Sequence, residues 1–136
     1  MRQHIIRFAV MAGMAAGALS FTPTAGVAAL PHCDYNTWAR IIGTEQAAQI
    51  PIHNGLIIDC VMGQGSQSSA VWTLQLTLNN CYGAGLALDS IFGSRTKAAL
   101  VRAQQSAGTT ADGVYGPKTR KAIVWWPGSL PCGHIQ

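Results

Sequence analysis

Acid is scarce in this 136-residue sequence: five Asp and Glu stand against nine Lys and Arg. A carboxylate pair for acid/base work would have to be Asp89 and Asp112. The basic set is also small, and no groove-reading motif accompanies it, so a nucleic-acid partner is not expected. No Cys-x-x-Cys spacing occurs, which removes the usual mark of a compact zinc site. His32-Cys33 and Cys132-Gly133-His134 do not supply one alone. No metal and no cofactor is expected. Beyond residue 29 no apolar run is long enough to cross a bilayer.

What is present begins with a leader. Arg2 and Arg7 give a basic start, Phe8 to Leu19 a short apolar run, and Val27-Ala28-Ala29 a small-residue cleavage site. This is the pattern of a secretory signal over 1–29, with a mature chain from Leu30. A secreted, extracellular or wall-associated product is expected, with no membrane contact after cleavage. The mature part keeps seven Lys and Arg against five acids. Six of those cations, Arg95, Lys97, Arg102, Lys118, Arg120 and Lys121, lie close together in the sequence and favour an anionic partner.

Cys33, Cys60, Cys81 and Cys132 all follow the leader. An even count in a small secreted domain implies two disulfides, and three connectivities are open.

Residues 30–67 read as an N-terminal extension. Asn54-Gly55 sits between the apolar runs Gln49–Ile52 and Leu56–Cys60, a strong hairpin signal. Pro51 confines its strand to an edge. Asn36 to Gln49 is expected to include a short helix. Gly63 to Ser69 reads as a polar linker. Three helices then fit the apolar spacing. The first spans Ser69 to Asn79, with Val71, Leu74 and Leu78 on one face. The second spans Ser94 to Ala107, stopped by Gly108, and the third Pro117 to Trp126, stopped by Pro127. Residues 128–136 form a tail without periodicity.

Two turns join these helices. Asp89-Ser90-Ile91-Phe92-Gly93-Ser94-Arg95-Thr96 returns 23 residues later as Asp112-Gly113-Val114-Tyr115-Gly116-Pro117-Lys118-Thr119. A fixed short period marks an internal repeat. Asp with Ser or Gly favours a turn, and Gly admits a helix starting at Ser94 or Pro117. Phe92 and Tyr115 are placed to plug the core. If the helices run up, down and up, the ends of the first and third share one end of the bundle. That favours Cys81–Cys132 and leaves Cys33–Cys60 to clamp the extension.

Val71-x-x-Leu74-Gln75-x-x-Leu78-Asn79, both turns and Gln104 together resemble the peptidoglycan-binding-like three-helix module, over residues 68 to 126. Ser90 and Ser94 depart from the Gly and Pro usual there. The resemblance implies a mainly α fold: a three-helix bundle with two repeated turn-helix motifs, preceded by a small disulfide-linked β-hairpin extension. Its domain occupies 68–127. It also implies a non-catalytic module that holds peptidoglycan or its fragments, with a groove for stem peptide or glycan. The whole chain looks like small secreted actinobacterial proteins that carry the module. The extension is too short for an attached hydrolase, so no enzyme and a monomer are expected.

Arg95, Lys97, Lys118 and Arg120 are the candidate contacts to carboxylates, Arg being suited by its planar fork. Tyr115 and Trp125 are the candidate aromatic contacts. Adjacent helical positions point about 100° apart, so Trp125 and Trp126 cannot both face inward. Ser94-x-x-Lys97 matches the nucleophile motif of penicillin-interacting enzymes, but its partner motifs are missing. The alternative is a secreted interaction or inhibitor domain on the same fold. One form of it uses Pro131-Cys132-Gly133 as a thiolate switch against a metalloprotease, which requires a free Cys132.

Overall fold

The computed structural model describes residues 29–129 and 131–136, and the expected leader lies outside them except for Ala29. In chain order the elements are β1 (Tyr35–Arg40), β2 (Ala47–Ile52), α1 (Ser69–Tyr82), α2 (Ser94–Ser106) and α3 (Pro117–Ala122). Three helices thus follow a two-stranded antiparallel hairpin.

The hairpin is not the expected one. β1 pairs with β2 from Tyr35↔Ile52 to Arg40↔Ala47, so the segment expected to hold a short helix is strand and turn. Ala48, Ile50 and Ile52 put buried side chains at every second position, the period of a half-buried strand. Asn54-Gly55 does form a tight turn, with φ of 49° and 76° and His53 bridged to Ile57. It closes a short loop beyond β2 and does not join the main strands.

α1 ends where Gly83 adopts a left-handed conformation and its N–H returns to the Asn79 carbonyl. That is the common glycine C-cap. α3 is shorter than expected. Ile123 is already extended, and Trp125 exchanges two backbone hydrogen bonds with Gly133, at 2.7 and 3.0 Å. The tail is therefore paired structure. A Cβ on Gly133 would lie 2.3 Å from Ile41 Cγ2, so only glycine lets the tail pass over Ile41. Beyond it, the Ile42 N–H reaches the His134 carbonyl at 2.8 Å and Ile135 packs into the core.

The expected linker is also ordered. Met62 exchanges backbone hydrogen bonds with Tyr115, while the Gly65 N–H donates to the Phe92 carbonyl and the Phe92 N–H to the Ser66 carbonyl. Phe92 and Tyr115 are fully buried, so their backbone groups need partners, and this segment supplies them. Ser68 Oγ donates to the Cys33 carbonyl and Ser69 Oγ to the Asp34 carbonyl, pinning the extension to the start of α1. One core results, shared by Ile50, Ile52 and Met62 of the extension with Leu74, Leu78, Leu100 and Ile123 of the helical part.

Disulfides join Cys33 to Cys60 and Cys81 to Cys132, the connectivity favoured by an up-down-up run. Every cysteine is thus consumed, which removes the thiolate-switch form of the inhibitor alternative.

Candidate functional site

The two turns are built on buried glutamines. Gln75 Nε2 donates to Asp89 Oδ1, the Ile91 carbonyl and Thr96 Oγ1 at 2.9, 3.0 and 3.2 Å. Its Oε1 accepts the Ser90 N–H. Gln104 does the same for the second turn, reaching Asp112 Oδ1, the Val114 carbonyl, Thr119 Oγ1 and the Gly113 N–H. Each aspartate also accepts the N–H two residues ahead, from Ile91 or Val114, an Asx turn. The Gln75 amide, with the Ile91 N–H, holds the Asp89 carboxyl below the ordinary carboxylate range. Both aspartates thus act as hydrogen-bond acceptors within their turns.

Ser90 and Gly113 occupy equivalent positions with φ of 63° and 69°. A non-glycine residue there costs roughly 1–2 kcal/mol, and the first turn bears that cost. The second turn has a further reason for glycine: a Cβ on Gly113 would lie 2.7 Å from Lys97 Cγ. The Lys97 stem lies across that turn.

A shallow groove opens beside each turn. The first, about 260 Å³, is lined by Asp89, Ile91, Ser94, Arg95 and Thr96 among others. The second, about 410 Å³, is lined by Asp112, Val114, Pro117, Lys118 and Thr119, with Leu30 at its edge. The first five residues become the second five under the 23-residue shift. A neighbouring recess of about 270 Å³ is lined by Arg95 and Arg102 together with Ala84, Gly85 and Leu86. Ser94 stands exposed at the start of α2, as a helix-start residue.

The expected contact residues divide. Arg95, Lys97 and Lys118 are exposed. Arg95 and Lys118 border different grooves and Lys97 borders neither. Tyr115 and Trp125 are 0% exposed and Arg120 4%, so none of the three offers a surface to a ligand. The reasons are local. Tyr115 and Trp125 pack edge to face, centroids 6.1 Å apart at 88°. The Trp125 indole N–H donates to the Arg120 carbonyl. The chain is extended at Trp125, so its side chain turns inward and Trp126 is the partner left at the surface. Arg120 Nη2 binds Asp59 Oδ1 at 2.8 Å, an ion pair that ties α3 to the extension. Trp38 of β1, 65% exposed, is an aromatic candidate that the sequence spacing did not single out.

The Tyr115 hydroxyl is buried without a hydrogen-bond partner, and burial pushes its phenol well above the ordinary value, the Arg120 charge opposing. Phe92 fills the equivalent place without a hydroxyl. Tyr115→Phe is therefore expected to leave stability unchanged or raise it by up to about 1 kcal/mol, since an unmet buried hydroxyl costs its desolvation. Denaturant unfolding of the two proteins checks this. A loss above about 1 kcal/mol would mean the hydroxyl has a partner.

Residues 67–123 match the family model described as "Putative peptidoglycan binding domain". No curated protein matches the chain. Among solved structures, a 2.05 Å crystal structure of a peptidoglycan-binding protein from Clostridioides difficile, in complex with glutamine hydroxamate, is similar at 28% identity and a TM-score of 0.47. The match covers 62% of this chain and 53% of that one, so the chain spans about half the length of this relative. The matched segment runs from just before α1 through α3, and both turn grooves lie within it save for Leu30.

Proposed function

We propose that the protein is a secreted, non-catalytic, monomeric cell-wall binder that holds acidic stem peptide or glycan of peptidoglycan in the grooves beside its two turns. The carrying observation is that the matched module places a cation on each groove, Arg95 on one and Lys118 on the other. Arg102 joins Arg95 in lining the adjoining recess, which adds a second guanidinium within reach of a carboxylate docked there. The unit at 68–127 supplies the grooves. The extension at 30–67 and the tail at 128–136 brace it through the shared core and the disulfides. We read the two turns as copies of one repeat.

Exposed cations in water give modest, salt-screened attraction. The full chain is expected to co-sediment with purified sacculi at low ionic strength and to be released by salt. Arg95→Glu combined with Lys118→Glu is expected to weaken retention roughly tenfold or more, the equivalent of about 1.4 kcal/mol. Retention unchanged by the double substitution, or absent at low salt, would sink this reading. Release of soluble fragments from the sacculi would show an enzyme instead.

A further inference from the structure

A third depression lies away from the turns, where β1, β2, α1 and the tail meet. Its lining is Trp38, Gln49, Thr73, Leu76, Thr77 and Trp126. The fold brings these together for definite reasons. Trp38 and Gln49 are cross-strand partners in the hairpin. Thr73, Leu76 and Thr77 are spaced i, i+3 and i+4, one face of α1. Trp126 arrives because Trp125 turns inward to pair with Gly133, leaving its neighbour outside.

Three properties of this cleft point to a ligand. Trp38 is 65% exposed, and Trp126 borders the same cleft while only half-buried, so two indoles line it with part of their surface exposed. Thr73 is 1% exposed, and its Oγ1 is buried without a hydrogen-bond partner. Buried hydroxyls are nearly always satisfied, and one that is not calls for an explanation. Finally, among the described residues no charged side chain lines the cleft. An ionic ligand would lose hydration there with nothing to replace it.

We propose that this cleft is a saccharide site that takes one uncharged pyranose ring, stacked on Trp38 and Trp126. A pyranose has an apolar face of C–H groups that packs on an aromatic ring, and a rim of hydroxyls. The apolar face suits the indoles. The rim suits the Gln49 amide and the Thr73 hydroxyl, which both donate and accept. The volume of about 110 Å³ holds part of one ring and not a folded peptide segment. The density of neutral hydrogen-bonding groups relative to that volume favours a hydroxyl-rich guest over a proline-rich strand. Trp38, Gln49 and Trp126 lie outside residues 67–123, so the site is a property of this chain's own extension and tail.

The test uses the full chain, isotope-labelled, titrated with β-1,4-linked oligomers of N-acetylglucosamine and of glucose. The indole N–H signals of Trp38 and Trp126 are expected to shift with either sugar. The Trp125 signal, held inside by the Arg120 carbonyl, is expected to stay fixed. Trp38→Ala, at an exposed position, is expected to weaken binding roughly tenfold or more. Thr73→Val is expected to weaken binding without lowering thermal stability, because its hydroxyl has no partner to lose. Arg95→Glu is expected to leave the sugar response intact, which separates this site from the turn grooves. The proposal is overturned if neither sugar moves the two indole signals, or if Trp38→Ala binds as well as the native chain. A response to a proline-rich peptide in place of the sugars overturns it equally.

Discussion

Gln104→Met is expected to destabilise the protein by about 3–4 kcal/mol, although methionine has nearly the same length and shape. Gln104 is fully buried and its amide meets four groups: Asp112 Oδ1, the Val114 carbonyl, Thr119 Oγ1 and the Gly113 N–H. The thioether replaces none of these. The Gly113 N–H lies in a buried bond, so it is stranded away from water. An orphaned buried donor costs about 1–3 kcal/mol, and the loosened Asp112 turn adds to that. For a domain of this size the loss lowers Tm by on the order of 15 °C. Gln105→Met, at an exposed neighbouring position, is the control and should change stability by under about 0.5 kcal/mol. Thermal and denaturant unfolding measure both. A Gln104→Met loss below about 1 kcal/mol would mean the turn does not depend on the amide.

That turn was legible in the sequence because its signals are local. Asp112, Gly113, Gly116 and Pro117 each state a backbone preference within a few residues, and the copy at Asp89 repeats the statement. The helices were legible where apolar spacing persisted, and α3 was overdrawn where it did not. Ile123 to Trp126 suits helix or strand equally, and only Gly133, far along the chain, decides for an extended pair. The hairpin failed for the same reason. Asn54-Gly55 announces a turn correctly, but the partner of β2 lies upstream across Ile41 to Gln46, a stretch without a comparable signal. Arg120 read as a surface cation because its partner, Asp59, belongs to another segment 61 residues away. Trp38 and Trp126 are farther apart still, so no spacing rule could join them across one cleft. Binding candidates chosen by residue type alone were therefore half core: Tyr115, Arg120 and Trp125 have the chemistry of contacts and the burial of scaffold.

Cys81→Ala combined with Cys132→Ala is expected to cost about 4 kcal/mol, more than removal of the other bridge. The bridge closes a separation of 51 residues, against 27 for Cys33–Cys60, and the entropy removed from the unfolded chain grows with loop length. The other anchors of the chain beyond α3 are non-covalent: the Trp125–Gly133 pair, the Val124 N–H to the Tyr82 hydroxyl, the Gln46 amide to Ser129, the Ile42 to His134 and Gln136 to Arg40 backbone bonds, and the burial of Ile135 against the core. Alanine avoids leaving a new hydroxyl in a half-buried place. Two readouts should move together. Global stability falls by about 4 kcal/mol in denaturant. The Trp126 indole signal shifts toward that of a mobile side chain, because Trp126 and Gly128 edge the cleft only while the tail is held. Sugar binding at that cleft should then weaken further than sacculus retention, whose cations sit on α2 and α3, before the tail. A stability loss below about 1 kcal/mol would mean the pairing with Gly133 and the burial of Ile135 hold the tail without the disulfide.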